Sequence, residues 1–212
     1  MNIEQKIDEL TEGLTEVKPL KAPLQRSGGF IVAVSLLLVA VIFVVGLRSD
    51  FYEIARSPSF LLETFLSFIA SASAVFAAIA LGVPGNESNR LAKLVALLSA
   101  LMWTGLIFSR YVKAGLSGLE PEFWGGYVCG IEIVAIGLVL ATLLVFRIKK
   151  SAPTRLAATG FFVALATFGF SALALQFTCS SDIATHLLSW HLLPVFIMTM
   201  VGAKIGSRIL KW

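Results

Sequence analysis

The sequence predicts an all-α membrane protein with six transmembrane helices and both termini in the cytoplasm. Of its 212 residues, 57% are hydrophobic and only 14% are charged, and the mean hydropathy is +0.87. A soluble domain carries about 25% charged residues. Runs of about 20 apolar residues are long enough to cross a ~30 Å hydrocarbon layer as helices. Six such runs are present, at about 28–47, 60–83, 91–109, 125–146, 155–177 and 186–206.

The positive charges predict the orientation, because Lys and Arg collect in the cytoplasmic loops of membrane proteins. Of the 17 Lys and Arg residues, all but Arg48, Arg56, Arg110 and Lys113 fall in the amino-terminal tail, the second and fourth loops or the carboxyl end. These segments are therefore assigned to the cytoplasm, and the third and fifth loops to the outer face. The net charge of +4 then reports orientation, and no nucleic acid is expected as a direct partner.

Residues 1–26 are predicted to form a cytoplasmic tail, and residues 27–212 the transmembrane domain. No cleavable signal peptide is expected, because the tail is polar and the first apolar run is too long for one. Apolar residues recur along the tail at helical spacing and form one stripe. The members of this stripe are Ile3, Ile7, Leu10, Leu14 and Val17.

The tail helix should need a partner, because an isolated helix of this length is marginal in water. One alternative is that it lies on the membrane or on the cytoplasmic end of the bundle. A membrane-surface helix is usually basic on its polar face, whereas this one is acidic, which favours a protein with a basic, apolar groove. Pro19 and Pro23 should end the helix, so that residues 18–26 form an extended linker.

Two features of the apolar runs bear on packing. The second run is rich in Ala and Ser, including Ala70, Ala74 and Ser71, which predicts close approach of neighbouring helices. The sixth run contains Pro194, which should kink it.

The residues most suited to chemistry cluster near the predicted outer face. Cys129 lies near the start of the fourth run, and Glu132 shares its helix face. Cys179 follows the fifth run, and His186 and His191 lie at the start of the sixth. A carboxylate at the depth of Glu132 is costly unless it is paired, protonated or hydrated. These side chains could therefore converge on one pocket.

Three interpretations of this pocket stay open at the level of sequence. Thiolates and imidazoles could bind a soft metal ion such as zinc or cadmium. Cys129 and Cys179 could form a disulfide in an oxidising periplasm. All of these residues could instead be bundle residues, with the histidines hydrogen-bonded at the interface. The spacing C-x6-H-x4-H matches no strong zinc motif, and His186 and His191 are about 140° apart on an α-helix, which disfavours a shared ion.

No catalytic motif is present: the sequence has no Gly-rich phosphate loop, no HExxH and no CxxC. The protein is therefore not expected to be an enzyme. An outer-leaflet quinone-linked thiol oxidoreductase, using the cysteines with Glu132, is the main rival. A small metal transporter with Glu132 and Glu63 on its path is the second.

Four segments together resemble the NrsF family, the negative regulators of sigma F, which are six-helix inner-membrane anti-sigma factors of proteobacteria. The tail ends in VKPLKAP followed by Arg26, and YVCGIE opens the fourth helix. The basic loop RIKKSAPTR leads into the fifth helix. The most specific segment is C-x10-W-H, with Cys179, Trp190 and His191. The resemblance covers nearly the whole chain.

The resemblance implies that the tail holds an extracytoplasmic-function (ECF) sigma factor at the inner membrane and away from RNA polymerase. It implies that Cys129 and Cys179 sense heavy metal or thiol-oxidising stress, with a heavy-metal ion as signal and no obligatory cofactor. Glu132, His186 and His191 would support the sensor. The implied sigma-binding residues are Ile3, Ile7, Leu10, Leu14, Val17, Lys18, Pro19, Leu20, Lys21 and Arg26.

The chain departs from the family pattern at two places. Some relatives have a proline-rich fourth helix, whereas this one reads EIVAIGLVLATLL, without proline. Lys18 and Lys21 stand where relatives often have arginine, and lysine cannot form a bidentate pair with a carboxylate.

Overall fold

The structure is a computed structural model that describes residues 2–12, 22–85, 90–114 and 125–211. Within these ranges the regular elements are all helical, which confirms the predicted fold class. The α-helices are α1 (Ile3–Thr11), α2 (Pro23–Val45), α3 (Phe51–Ile54), α4 (Pro58–Leu81), α5 (Arg90–Ala114), α6 (Tyr127–Lys149), α7 (Leu156–Thr178), α8 (Ala184–His186) and α9 (Leu193–Ile209). A π-helix, Leu187–Leu192, joins α8 to α9.

Six helical segments of the described chain are long and apolar enough to cross a membrane, as the sequence predicts. They are Pro23–Val45, Pro58–Leu81, Arg90–Lys113, Tyr127–Lys149, Leu156–Thr178 and Ala184–Ile209. Helices satisfy their own backbone hydrogen bonds, which is why they can cross a layer that contains no water. The chain is therefore a polytopic membrane protein.

Helix α7 occupies the centre of the bundle. It packs against α4, α6 and α9 along its length and also touches α2. Its residues from Phe162 to Gln176 are buried on every face. A helix that is apolar all round fits such a position, because it has no polar face to turn toward water.

A close contact joins the backbones of α7 and α9. A Cβ atom added to Gly160 would lie 2.8 Å from the Cα atom of Gly206 and would also clash with the backbone of Gly202. Small residues permit such close approach in membranes, where van der Waals packing drives helix association. This contact fixes α9 beside α7.

The Ala- and Ser-rich second run, α4, packs tightly, as predicted. Ala70, Ser71 and Ala74 are all buried, and the hydroxyl of Ser71 faces Gly169 of α7, where a Cβ atom would clash with it. The Ser71 hydroxyl donates a hydrogen bond to the carbonyl of Ser67 at 2.7 Å, which satisfies its polar atom within its own helix.

The amino-terminal segment differs from the extended linker expected for residues 18–26. Pro23 begins α2, so residues 23–26 are helical. Proline is well suited to the first turn of a helix, where its missing N–H would have no partner. Leu14, Val17, Lys18, Pro19, Leu20 and Lys21 lie outside the described residues. Helix α1 has no buried residue, and its apolar stripe is exposed.

We expect Gly160→Ala to destabilise the bundle by about 1–3 kcal/mol, because the added methyl group meets the backbone of α9 and cannot be accommodated by a rotamer change. Thermal unfolding in detergent would measure the effect. Gly105→Ala on α5 is the matched control, since its Cβ atom would meet nothing within 4 Å. Equal melting temperatures for the two variants would contradict the close contact between α7 and α9.

Candidate functional site

Two cysteines and two histidines from four segments converge at one end of the bundle. Cys129 lies in the first turn of α6, and Cys179 follows the last residue of α7. His186 ends α8, and His191 lies in the π-helix. One ligand atom from each side chain lies within 4.8 Å of every other. We call these four residues the thiol–imidazole site.

The separation of about 140° expected between His186 and His191 is not found, because both rings lie on one side of the segment. The prediction assumed α-helical geometry, whereas the segment between them is a π-helix, Leu187–Leu192. In a π-helix the hydrogen bonds run from residue i to i+5, so residues five apart stack on one face. The two imidazole rings are accordingly 5.3 Å apart between centroids.

Pro194 accounts for the position of this π-helix. Proline lacks an N–H group, and its ring collides with the carbonyl four residues earlier, here that of Trp190. A widened turn relieves the collision and lets the helix continue into α9. The sixth run, in which Pro194 was expected to cause a kink, thus contains a π-helix just before the proline.

Glycine on α6 makes room for the histidine segment. A Cβ atom on Gly126 would lie 2.7 Å from Nδ1 of His186 and would clash with the Trp190 ring. One turn later, a Cβ atom on Gly130 would lie 3.1 Å from the same indole. The segment YVCGIE and the glycine before it thus bring Cys129 within reach of both histidines.

The thiol of Cys179 is the electrostatic centre of the site. Cys129 Sγ donates a hydrogen bond to Cys179 Sγ across 3.6 Å, and His186 Nε2 lies 3.3 Å from the same sulfur. The hydrogen bond from Cys129 lowers the pKa of Cys179 most, with further contributions from His186 and His191. Both cysteines are free thiols. Burial opposes this shift, but the lowered pKa of Cys179 favours its thiolate, the form that binds metals and attacks electrophiles.

His191 contributes a nitrogen that lacks a partner. The residue is only 2% exposed, and its Nε2 atom has no hydrogen-bond partner. A buried polar atom without a partner costs about 1–3 kcal/mol. Independently of that atom, one ring nitrogen of His191 lies within 4.8 Å of the ligand atoms of Cys129, Cys179 and His186.

The geometry of the four side chains is compatible with a tetrahedral metal ion. Zinc with two sulfurs at about 2.3 Å and two nitrogens at about 2.0 Å holds its ligand atoms about 3.3–3.8 Å apart. The sulfurs, at 3.6 Å, already lie in this range, so ligation needs a contraction of the remaining atoms by only about 1 Å. A disulfide would need the sulfurs to approach to about 2.05 Å.

Glu132 is part of this region but not of the four-residue group. It lies on α6 and is half-buried, one turn beyond Cys129. Glu63 does not fit the role of a cation ligand on a transport path. It is 4% exposed, and its carboxylate accepts a hydrogen bond from Arg110 Nη1 at 2.8 Å. Its charge is thus paired within the bundle.

Sequence reasoning missed the arginines that surround the Cys179 loop, residues 179–183, which are not helical. The side chain of Arg48 is 2% exposed and binds Asp50 and Asp182. Arg110 Nη2 donates to the carbonyl of Asp182 at 2.8 Å. Because both arginines lie in the segments assigned to the outer face, their charge was used only for orientation. Each arginine directly follows an apolar run, and this position was the sequence feature that could have indicated a structural role.

The fold and the site together define a class: a polytopic helical membrane protein with a thiol–imidazole site at one end. A family described as "Negative regulator of sigma F" matches residues 10–212. The chain belongs to this family, NrsF, as the sequence resemblance predicted. The family consists of regulatory anti-sigma factors and not of enzymes, which confirms that prediction and argues against the thiol oxidoreductase.

Three relatives are similar to the chain over most of its length. The chain is 25% identical to the anti-sigma-F factor NrsF of Caulobacter vibrioides over 169 residues, which cover 78% of each protein. It is 24% identical to the probable anti-sigma-F factor NrsF of Azospira oryzae, over 84% of this chain and 83% of the relative. It is 29% identical to the carotenogenesis protein CarR of Myxococcus xanthus, over 82% and 71%. No solved structure matches the chain significantly.

We expect Gly126→Ala to displace His186 and Trp190 and to weaken cadmium binding at the site by roughly ten-fold or more, as mispositioned ligands do. Cadmium–thiolate charge-transfer absorbance of the purified protein would measure the affinity. The matched control is Gly125→Ala, because a Cβ atom there meets nothing within 4 Å. Similar affinities for both variants would mean that α6 does not pack against the histidine segment in this way.

Proposed function

We propose that this protein is a bacterial inner-membrane anti-sigma factor that binds an ECF sigma factor through its cytoplasmic tail. Two relatives carry the name anti-sigma-F factor, and the family match covers most of the chain. The distribution of Lys and Arg supports placing both termini in the cytoplasm, where a sigma factor would be met.

The observation that supports the tail as the binding element is the exposed stripe of α1. Ile3, Ile7 and Leu10 lie on one face of the helix and are 77%, 53% and 68% exposed. Together they form a ready contact for an apolar groove, the usual receptor of an amphipathic helix. The remaining face carries Glu4, Asp8 and Glu9, which would complement a basic rim on the partner.

We also propose that the thiol–imidazole site is the sensor, facing the periplasm. The convergence of four soft ligand atoms within 4.8 Å supports this role. A metal ion would be held by Cys129, Cys179, His186 and His191, and it would stabilise the thiolate form of both sulfurs.

A thiol oxidant would act on the same two sulfurs. Cys179, as the thiolate, attacks the electrophilic oxidant, and Cys129 then displaces the reduced oxidant to close a disulfide. The two thiols lose two electrons and two protons, which the oxidant takes up. Both signals draw the same elements, α6 and the Cys179 loop, toward each other.

The transporter hypothesis finds less support. Its path would need Glu63 and Glu132 as cation ligands, but Glu63 is paired with Arg110, and a guanidinium repels an entering cation. The apolar grooves of the described chain are lined almost entirely by hydrocarbon, as in the groove between α6 and the histidine segment.

We expect Ile7→Glu to reduce the affinity for the sigma factor by at least about ten-fold, because burial of an isoleucine side chain contributes roughly 1.5–3 kcal/mol. Co-purification and a titration with an ECF sigma factor of the same organism would measure it. Gln5→Glu adds the same carboxylate on the opposite face of α1 and should change the affinity less than about two-fold. Equal losses in the two variants would contradict binding through the apolar stripe.

We expect the double variant Cys129→Ser, Cys179→Ser to bind the sigma factor normally but not to release it on exposure to cadmium. Serine hydroxyls are poor ligands for soft ions and cannot form a disulfide. The measurement is the fraction of sigma factor that co-purifies before and after treatment. Ser189→Ala, in the same π-helix but with no ligand removed, is the control. Normal release by the double serine variant would show that the thiols are structural.

A further inference from the structure

Helix α2 is attached at one end to the Cys179 loop and at the other end to the last turn of α6, the helix that carries Cys129. At the end toward the site, Arg48 follows α2, and its backbone N–H donates to the carbonyl of Phe177 at 3.0 Å. Its guanidinium donates to the carbonyl of Ser180 at 3.1 Å and to the carboxylate of Asp182 at 3.3 Å. Ser180 and Asp182 are one and three residues after Cys179.

The attachment of Arg48 to the loop is specific. Arg48 is 5% exposed, and a buried guanidinium is costly unless each of its donors finds an acceptor. Asp50, which belongs to the same chain segment as Arg48, supplies two carboxylate oxygens as acceptors, at 2.7 Å and 2.9 Å. Asp182 and the Ser180 carbonyl supply the others, from the Cys179 loop. The loop therefore cannot shift without changing the surroundings of a buried charge.

The opposite end of α2 is attached to α6. Arg26, in the first turn of α2, donates from Nη2 to the carbonyl of Arg147 at 2.9 Å. The guanidinium of Arg147 in turn lies over the ring of Phe30, 5.6 Å from its centroid. Arg147 is in the last turn of α6, and Cys129 is in the first. These turns are about 27 Å apart along the helix axis.

We propose that α2 transmits the state of the thiol–imidazole site to the tail, with the Arg48–Asp182 pair as the coupling contact. This inference rests on the proposed sensing function. When Cys129 and Cys179 draw together, α6 moves relative to the Cys179 loop. Helix α2 is bound to both, so it shifts against α6 at the Arg26–Arg147 contact. The tail leaves α2 at Pro23, next to that contact, and changes its direction accordingly.

Two matched substitutions distinguish a loss of coupling from a loss of stability. Asp182→Asn removes the charge that Arg48 meets on the loop but leaves Asp50 paired with the same guanidinium. Asp50→Asn is the matched control, because it removes a carboxylate from the same arginine without touching the loop. Both substitutions retain the shape of the side chain.

The test is made on the full-length protein in nanodiscs, with both cysteines unlabelled and free. Spin labels on unnatural amino acids are placed at Leu24 of α2 and Phe146 of α6, which are 72% and 63% exposed. Cadmium should shift the distance between the labels by on the order of 1 Å, the contraction expected for the ligand atoms. The shift should persist in the Asp50→Asn protein and fall at least two-fold in the Asp182→Asn protein, with cadmium affinity unchanged in both.

The possible results distinguish failure of the coupling role from failure of the proposed function. If the labels do not move in the wild-type protein, or move equally in both variants, the coupling role of α2 is overturned, even if sigma factor is released. If they move as expected while no sigma factor is released by cadmium, the coupling is supported and the proposed function fails instead. A matching loss of sigma release in Asp182→Asn, but not in Asp50→Asn, supports both.

Discussion

The backbone contact between α7 and α9 is the constraint on which the rest of the molecule depends. Gly160 lies directly against Gly202 and Gly206, so α9 has one position beside the central helix. In a bilayer, where apolar surface alone does not select a helix pair, such close packing supplies the specificity. The histidine segment precedes α9 without interruption, so this contact also determines where His186 and His191 can lie relative to Cys179.

Above that contact, the site is built from elements that no single helix could supply. α6 brings Cys129, the end of α7 brings Cys179, and the π-helix brings both imidazoles to one side. The segment after Cys179 is non-helical, and Arg48 and Arg110 hold it from two directions. The position of Cys179 therefore depends on hydrogen bonds from α2, α5 and their flanking residues, and not on helical geometry alone.

Much of the fold could be predicted from the sequence because hydrocarbon is a simple solvent. Long apolar runs such as 155–177 can cross it only as helices. Counting these runs from the amino terminus also predicts on which side of the membrane the residues at their ends lie. The convergence of Cys129, Cys179 and His186 also followed from counting spans. The contribution of His191 did not, because an α-helical period of 3.6 residues was assumed across a segment that Pro194 widens.

The role of Arg48 was missed for a different reason. A single arginine between two apolar runs is equally consistent with a solvated loop residue and with a buried one, and the two cannot be distinguished without knowing what lies opposite. Its partner Asp182 is more than a hundred residues away in the chain. Local pattern carries no information about such a pair, whereas helix α1 and its stripe are entirely local and were predicted correctly as far as the described residues extend.

The π-helix has one further consequence, for the relation between the site and the bundle. A π-helical turn accommodates one extra residue while leaving the helix before and after it in register. Gly202 and Gly206 therefore still lie against Gly160, although the turn before them brings both imidazoles to one side. The local geometry of the four side chains is thus separable from the packing of the long helix that follows them.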